Sequence, residues 1–257
     1  VTSGAIARST IAEGWMSTPG KAGLRERSDD SPIRMYQVSK AYIPGQYALR
    51  DVSLELRRGE FVFVTGQSGA GKSTLLELLF AAERPTEGQI LVLGRNIARL
   101  RGGAIPALRR RVGVVFQDFK LLPRRTVEEN VGIALDVLGK PRREARARVF
   151  HVLRQVGLQH RRYDQPLSLS GGEQQRIAIA RALVGDPEIL LADEPTGNLD
   201  PDLSIEIMDL MLDASTRGTT VMVATHDVSL VDRYRPRTLR LEGGRLVDDV
   251  PAPGGLG

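Results

Sequence analysis

Short apolar runs alternate with helical apolar stripes along most of this chain. From Ile33 onward Tyr36 and Val38 alternate with polar residues, and Val52, Leu54 and Leu56 do the same before the Arg58-Gly59 turn. Both patterns predict strands. Lys40-Ala41-Tyr42-Ile43-Pro44-Gly45 between them reads as a loop carrying an aromatic residue. Phe61-Val62-Phe63-Val64 is short and continuously apolar, as a buried strand is, and the residues after Ser73 have helical spacing. Residues 88–93 and 112–116 read as further strands, separated by a strongly basic stretch.

After Gln117 the period turns helical. Thr126-Val127-Glu128-Glu129 is a capping box, opening a helix that should close near Gly139. Pro141 suits the first turn of the next helix, whose apolar face is Ala145, Val149, Val152, Leu153 and Val156. The opposite face carries Arg142, Arg143, Arg146, Arg148 and Arg154, the pattern of a solvated face or of a contact surface for a partner or for headgroups. Alternation then resumes: a strand over 189–192, a helix from Pro201 to about Arg217, a strand over 220–224, and a short helix near 228–234. Closing strands follow over 238–241 and 245–247. Strands alternating with helices predict an α/β fold with a mostly parallel sheet. The helical block from about 118 to 175 interrupts that sheet as an inserted lobe.

Residues 1 to about 31 break the pattern. They are rich in Ser, Thr, Gly and Ala, with four basic and four acidic side chains and Trp15 as the single aromatic. Such a stretch has little to bury and is expected to be disordered, a targeting or regulatory tail, or an artefact of a start site placed before Met16 or Met35. Over the 257 residues, 41% apolar and 26% charged side chains are ordinary for a globular domain. The net charge of +5 suits an anionic partner without choosing among nucleotide, nucleic acid and headgroup. With no cysteine there is neither a disulfide framework nor a thiolate metal site. No apolar run approaches 18 residues, so no span is predicted.

The chemistry starts at Gly66-Gln67-Ser68-Gly69-Ala70-Gly71-Lys72-Ser73, which matches G-x-x-x-x-G-K-[ST]. Its glycines let backbone N–H groups face a phosphate, Lys72 adds a positive charge, and the following helix N-terminus favours an anion. Strand, loop and helix are the context this motif needs. The chain is therefore expected to bind a nucleoside triphosphate. Asp193 and Glu194 end the apolar run 189–192, where open α/β sheets bind ligands. Asp193 is placed to hold Mg²⁺ beside the Ser73 hydroxyl, and Glu194 to orient and deprotonate water. Ser170 and Glu173 in LSGGE form a second capping box, which alone would explain both. Capping does not explain Gly171 and Gly172 directly after the cap, because glycines there weaken a helix. They leave N–H groups bare at a helix N-terminus, a second half-site for phosphate.

Phosphate loop, LSGGE and a strand ending in Asp-Glu, in that order, resemble the ATP-binding cassette of ABC ATPases over about residues 33–248. The resemblance implies a P-loop NTPase core (33–117 and 176–250) with a mostly parallel sheet, an N-terminal antiparallel β subdomain, an inserted α-helical subdomain (118–175) and a flexible tail (251–257). It implies ATP and Mg²⁺ as ligands, with residues 66–74 including Thr74 around the nucleotide and Tyr42 stacked on adenine. Gln117 matches the family's glutamine that reaches Mg²⁺ and the attacking water, and His226 the histidine on the γ-phosphate. Asn198-Leu199-Asp200 matches the loop that communicates between subunits. Two copies would pack head to tail, so that Ser170, Gly171 and Gly172 serve the partner's ATP.

Within the family, FQDFKLLPRRTVEENV, LADEPTGNLD and ATHDVSLV resemble the cell-division branch, whose ATPase pairs with a polytopic inner-membrane protein. FQDFKLLP followed by TVEENV is the telling string, since ADEPTGNLD also occurs in ATPases of lipoprotein and macrolide export. An export ATPase is therefore the alternative. The branch implies a peripheral protein on the cytoplasmic face, with ATP turnover changing the shape of the membrane subunit and so activating cell-wall hydrolases. Nucleic acid is not expected as a partner. Family members acting on ribosomes carry two cassettes in one chain, those acting on DNA ends a long coiled coil, and neither is present here. A non-hydrolysing ATP binder would need Glu194 or Lys72 replaced, and both stand intact.

Overall fold

The computed structural model of the protein describes residues 31–197 and 199–253. The expectations made for residues 1–30, for Asn198 and for 254–257 lie outside the described residues. Strand β1 (Ile33–Ile43) pairs antiparallel with β2 (Gln46–Leu56). Val52, Leu54 and Leu56 all face the core, as their alternation predicts. Two readings of β1 need correction. Residues 40–43 extend the strand and only Pro44-Gly45 turns, because pairing with β2 overrides a sequence that is weak on its own. At Gln37 the backbone takes φ 46 and the register shifts. This bulge turns Tyr36 outward while Val38, two residues on, is fully buried.

Strand β3 (Phe61–Thr65) runs into helix α1 (Lys72–Leu79), as expected. Strands β4 (Glu87–Val92) and β5 (Arg95–Asn96) complete a first sheet of order β2-β1-β4-β5. The basic stretch hides a short helix, α2 (Ala104–Arg109), anchored by buried Leu108 and by Arg109, which donates to the Phe80 and Ala81 carbonyls. Strand β6 (Val112–Val115) follows. Helices α3 (Val127–Val137), α4 (Arg142–Gln155) and α5 (Gly171–Leu183) share an apolar core built on Val131, Leu135, Val149, Leu153 and Ile177. Pro141 stands just outside α4, at its N-cap. Helix α5 begins at Gly171, directly after its Ser170 cap, and it runs unbroken through position 175/176, where the helical lobe was expected to end.

Strand β7 (Ile189–Asp193), helix α6 (Pro201–Thr216), strand β8 (Thr220–Ala224), helix α7 (Val228–Tyr234) and strands β9 (Arg237–Glu242) and β10 (Arg245–Val250) complete the chain. The second sheet has the order β10-β9-β3-β8-β7-β6. All its pairings are parallel except β9 with β10. The α/β fold with an antiparallel sheet at the start and a helical insertion is thus the one expected. Parallel pairing has one consequence for chemistry. Val64 and Asp193 both pair with Ala224, and Val115 pairs with Ala192, so four strands end together on one edge.

The loop leading from that edge to α3 is held by Asn130, which is fully buried. Its Oδ1 accepts from Leu122 N–H at 2.7 Å, and its Nδ2 faces the carbonyls of Leu122, Arg125 and Thr126 at 2.9–3.1 Å. Asn130→Ala should lower the unfolding free energy by about 2–3 kcal/mol, because buried backbone groups lose their partner. Urea unfolding tests this, and a loss below about 0.5 kcal/mol, the range of surface substitutions, would contradict it.

Candidate active site

The phosphate loop is shaped by what surrounds it. Gly66 and Gly71 take φ 147 and 104. A Cβ on Gly71 would lie 2.5 Å from the Ala48 carbonyl oxygen, and one on Gly66 2.3 Å from that of Leu241. Only glycine fits either position. Gly71 is also the N-cap of α1, with no side chain to cap the helix, so its first N–H groups are left for an anion. Lys72 is 8% exposed. Its ammonium donates to the Gly66 carbonyl at 2.7 Å and that of Gln67 at 3.3 Å, and lies 3.7 Å from Glu194 Oε1.

The four strand ends deliver the other groups. Asp193, the last residue of β7, faces the Ser73 hydroxyl at the start of α1. Burial pushes its carboxyl above the usual range, with the Ser73 hydroxyl pulling back, Glu194 pushing further and Lys72 opposing. Glu194 follows with a left-handed backbone, φ 48, its N–H held by the Ala224 carbonyl at 2.9 Å. Its carboxylate lies 2.8 Å from His226 Nδ1, which is carried just past β8. Gln117, just past β6, lines the same cleft of about 710 Å³. Lys72, Ser73, Gln117, Asp193, Glu194 and His226 therefore meet, together with Gln67, Ser68, Gly69, Gly71 and Thr74. Gly66 offers its carbonyl to Lys72, and Ala70 is buried in the core beside the loop. Ala48 also lines the cleft and was not foreseen. An alanine on β2 carries no chemical signal, and only the crossing of β2 past Gly71 puts it there.

The remaining candidates lie outside this cleft. Tyr42 is 54% exposed at the end of β1, its hydroxyl 3.0 Å from Glu77 Oε2 on α1 and 3.4 Å from Thr74 Oγ1. The Lys40 ammonium sits 4.8 Å from its ring centre. Ser170 and Glu173 form the expected capping box, which holds the Glu173 carboxyl below its ordinary range, chiefly through the Ser170 backbone N–H. Ser170 and Gly171 are exposed, while Gly172 packs toward Leu199 and Leu203. Asp200 caps α6 by accepting from Leu203 N–H at 3.0 Å.

A phosphate loop, a strand ending in two carboxylates and a glycine-capped helix set apart from them define a recognisable assembly. The family model described as ABC transporter matches residues 49–197. The chain belongs to the ABC transporter family. It is 49% identical over 219 residues to the cell division ATP-binding protein FtsE of Streptococcus pneumoniae, an alignment covering 85% of this chain and 95% of that one. The FtsE protein of Mycobacterium tuberculosis is 51% identical over 219 residues, covering 84% and 95%. Among solved structures, the dimeric post-hydrolysis state of the ATP-binding cassette MJ0796 bound to ADP and Pi superposes with a TM-score of 0.80 at 37% identity. That match spans 87% of this chain and all of the other. Within the family this chain is an ATPase of the FtsE type.

If Tyr42 stacks on the base, as the family resemblance implies, removing its ring should weaken nucleotide binding. A base stacked on an aromatic side chain is worth roughly 1–3 kcal/mol. Tyr42→Ala should lower nucleotide affinity about 5- to 100-fold in a fluorescent-nucleotide titration. Tyr47, whose ring is covered by the Arg50 guanidinium at 4.8 Å, should tolerate the same change. The reverse ranking would reassign the base-binding tyrosine.

Proposed function

We propose that this chain is the ATP-hydrolysing subunit of a membrane complex acting in cell division, with Glu194 as the base that activates water. The observation that carries this reading is the position of the Glu194 carboxylate, in the phosphate-loop cleft between Lys72 and His226. Backbone N–H groups of residues 66–74 and the Lys72 ammonium hold the phosphates. Gln117 orients the attacking water, Glu194 takes its proton, and His226 contacts the γ-phosphate. Ser73 and Asp193 bring hydroxyl and carboxylate oxygens together, the hard donors that Mg²⁺ prefers. With Gln117 they would hold Mg²⁺, which when bound neutralises charge on the phosphates.

The site is completed, on this reading, by a second copy. Ser170, Gly171 and Gly172 lie outside their own chain's cleft, and the structural relative MJ0796 is a dimer bound to ADP and Pi. Head-to-tail pairing would bring the capped N-terminus of α5 to the partner's γ-phosphate, and the exposed loop at Asp200 beside it. Among the described residues no helix is long and apolar enough to cross a membrane. From the likeness to FtsE we place the chain on the cytoplasmic face of the inner membrane, held there by a polytopic partner resembling FtsX. An apolar groove of about 540 Å³ between α3 and β6, lined by Ile133, Val137 and Phe116, offers a docking surface. Arg181 in that groove donates to the Phe119 and Lys120 carbonyls, a link to the loop that starts at Gln117.

Two variants test the chemistry and the pairing separately. Glu194→Gln keeps the size of the side chain but removes the base, so single-turnover hydrolysis should fall at least ~100-fold while ATP still binds. Hydrolysis at the wild-type rate would take Glu194 out of the mechanism. Ser170→Arg should bind ATP as a monomer and fail to dimerise on size-exclusion chromatography with ATP. If it forms an ATP-dependent dimer with normal turnover, LSGGE is only a helix cap.

A further inference from the structure

Gln175 is a polar residue at a core position of α5, only 2% exposed, between apolar neighbours on the buried face such as Ala178 and Ile179. Its Nε2 donates to the carbonyl of Pro195 at 2.7 Å, while its Oε1 is buried without a partner among the described residues. A half-satisfied buried amide is costly, so its one bond asks for a reason. Pro195 directly follows Glu194, whose backbone is left-handed at φ 48. A non-glycine residue keeps that conformation only where its surroundings over-determine it. Two backbone bonds help, Glu194 N–H to the Ala224 carbonyl at 2.9 Å and Gly197 N–H to the Glu194 carbonyl at 3.3 Å. Gln175 adds a side-chain bond from another element. Beside it, Gly172 sits so close to Leu199 and Leu203 that a Cβ would come within 3.2 and 3.3 Å of them. The first turns of α5 are therefore both tied to Pro195 and packed against Leu199 and Leu203.

We propose that Gln175 is a positioning residue: it ties the N-terminus of α5, which faces the partner's nucleotide, to the Glu194 carboxylate of its own chain. The inference rests on the composite-site reading above. Contact of Ser170 with the partner's γ-phosphate shifts α5, and the Gln175–Pro195 bond carries that shift to Glu194. Binding at one composite site thereby sets the base of the other.

The test uses the full chain with Mg²⁺ and ATP. Gln175→Met keeps the volume and removes the donor. Gln175→Asn keeps an amide but withdraws it by one methylene, and decides the matter if the methionine variant does not fold. Misplacing a catalytic group by about an ångström can cost 100-fold, so kcat should fall roughly 10- to 100-fold. KM for ATP and the melting temperature should stay near wild type, and the Hill coefficient in ATP should fall toward one. In a Glu194→Gln background, Gln175→Met should cause no further loss of single-turnover rate, because its effect passes through Glu194. Wild-type kcat in a folded variant, or losses that multiply in the double variant, would overturn the inference. Failure of the Glu194→Gln chain to dimerise on ATP would instead overturn the composite-site reading.

Discussion

A charged lysine held almost out of water is the constraint on which the cleft depends. Lys72 is 8% exposed, and an ammonium so far from water needs partners that compensate it. Two loop carbonyls and the Glu194 carboxylate do this before any phosphate arrives. The same bonds tie the loop to its own lysine. Glu194 is the group most affected. On the reading proposed above it would leave Lys72 to the phosphates and turn to water, with its contact to His226 as a second anchor for the carboxylate.

The cleft exists only because the sheet brings distant segments to one edge. Residues 66–73, 117, 193–194 and 226 each follow the end of a parallel strand, and the register aligns those ends to within a residue. Close pairs such as Lys72 with Glu194 and Glu194 with His226 act only at short range and do not draw such distant segments together. Burial of the strands does, through fully buried residues such as Phe63, Leu191, Ala192 and Val223. The chemistry is thus a by-product of hydrophobic register, which explains why the apolar runs are so uniform and the residues just beyond them so polar.

The same logic sets what could be read from the sequence. Lys72, Asp193, Glu194 and His226 were legible because each stands one or two steps past an apolar run or inside a fixed glycine spacing. Helix α3 was legible to the residue at its start, since Thr126 and Glu129 cap it with local hydrogen bonds. Features that depend on a partner segment were not. The last residues of β1 become strand only against β2, the Gln37 bulge reverses an alternation that looked regular, and α2 is fixed by Arg109 reaching back to Phe80. Gln175 had a signal that passed unused: it occupies the apolar face of α5, in helical phase with Ala178, Ile179 and Ala182, where a glutamine has no reason to be unless it bonds.

The electrostatics of Asp193 show where this assembly leaves free energy to be recovered. Burial raises its pKa, so the folded chain holds that proton more tightly than the unfolded chain does. Its ionised form therefore costs stability above the raised pKa, and the cost fades as pH falls through it. Glu194 next to it adds to the cost, and Lys72 offsets part of it. On the reading proposed above, a divalent cation held by Ser73 and Asp193 would offset that cost, while phosphates would pair with Lys72. Metal and nucleotide would then each favour the binding of the other by the same factor, because both draw on the same cluster of charges.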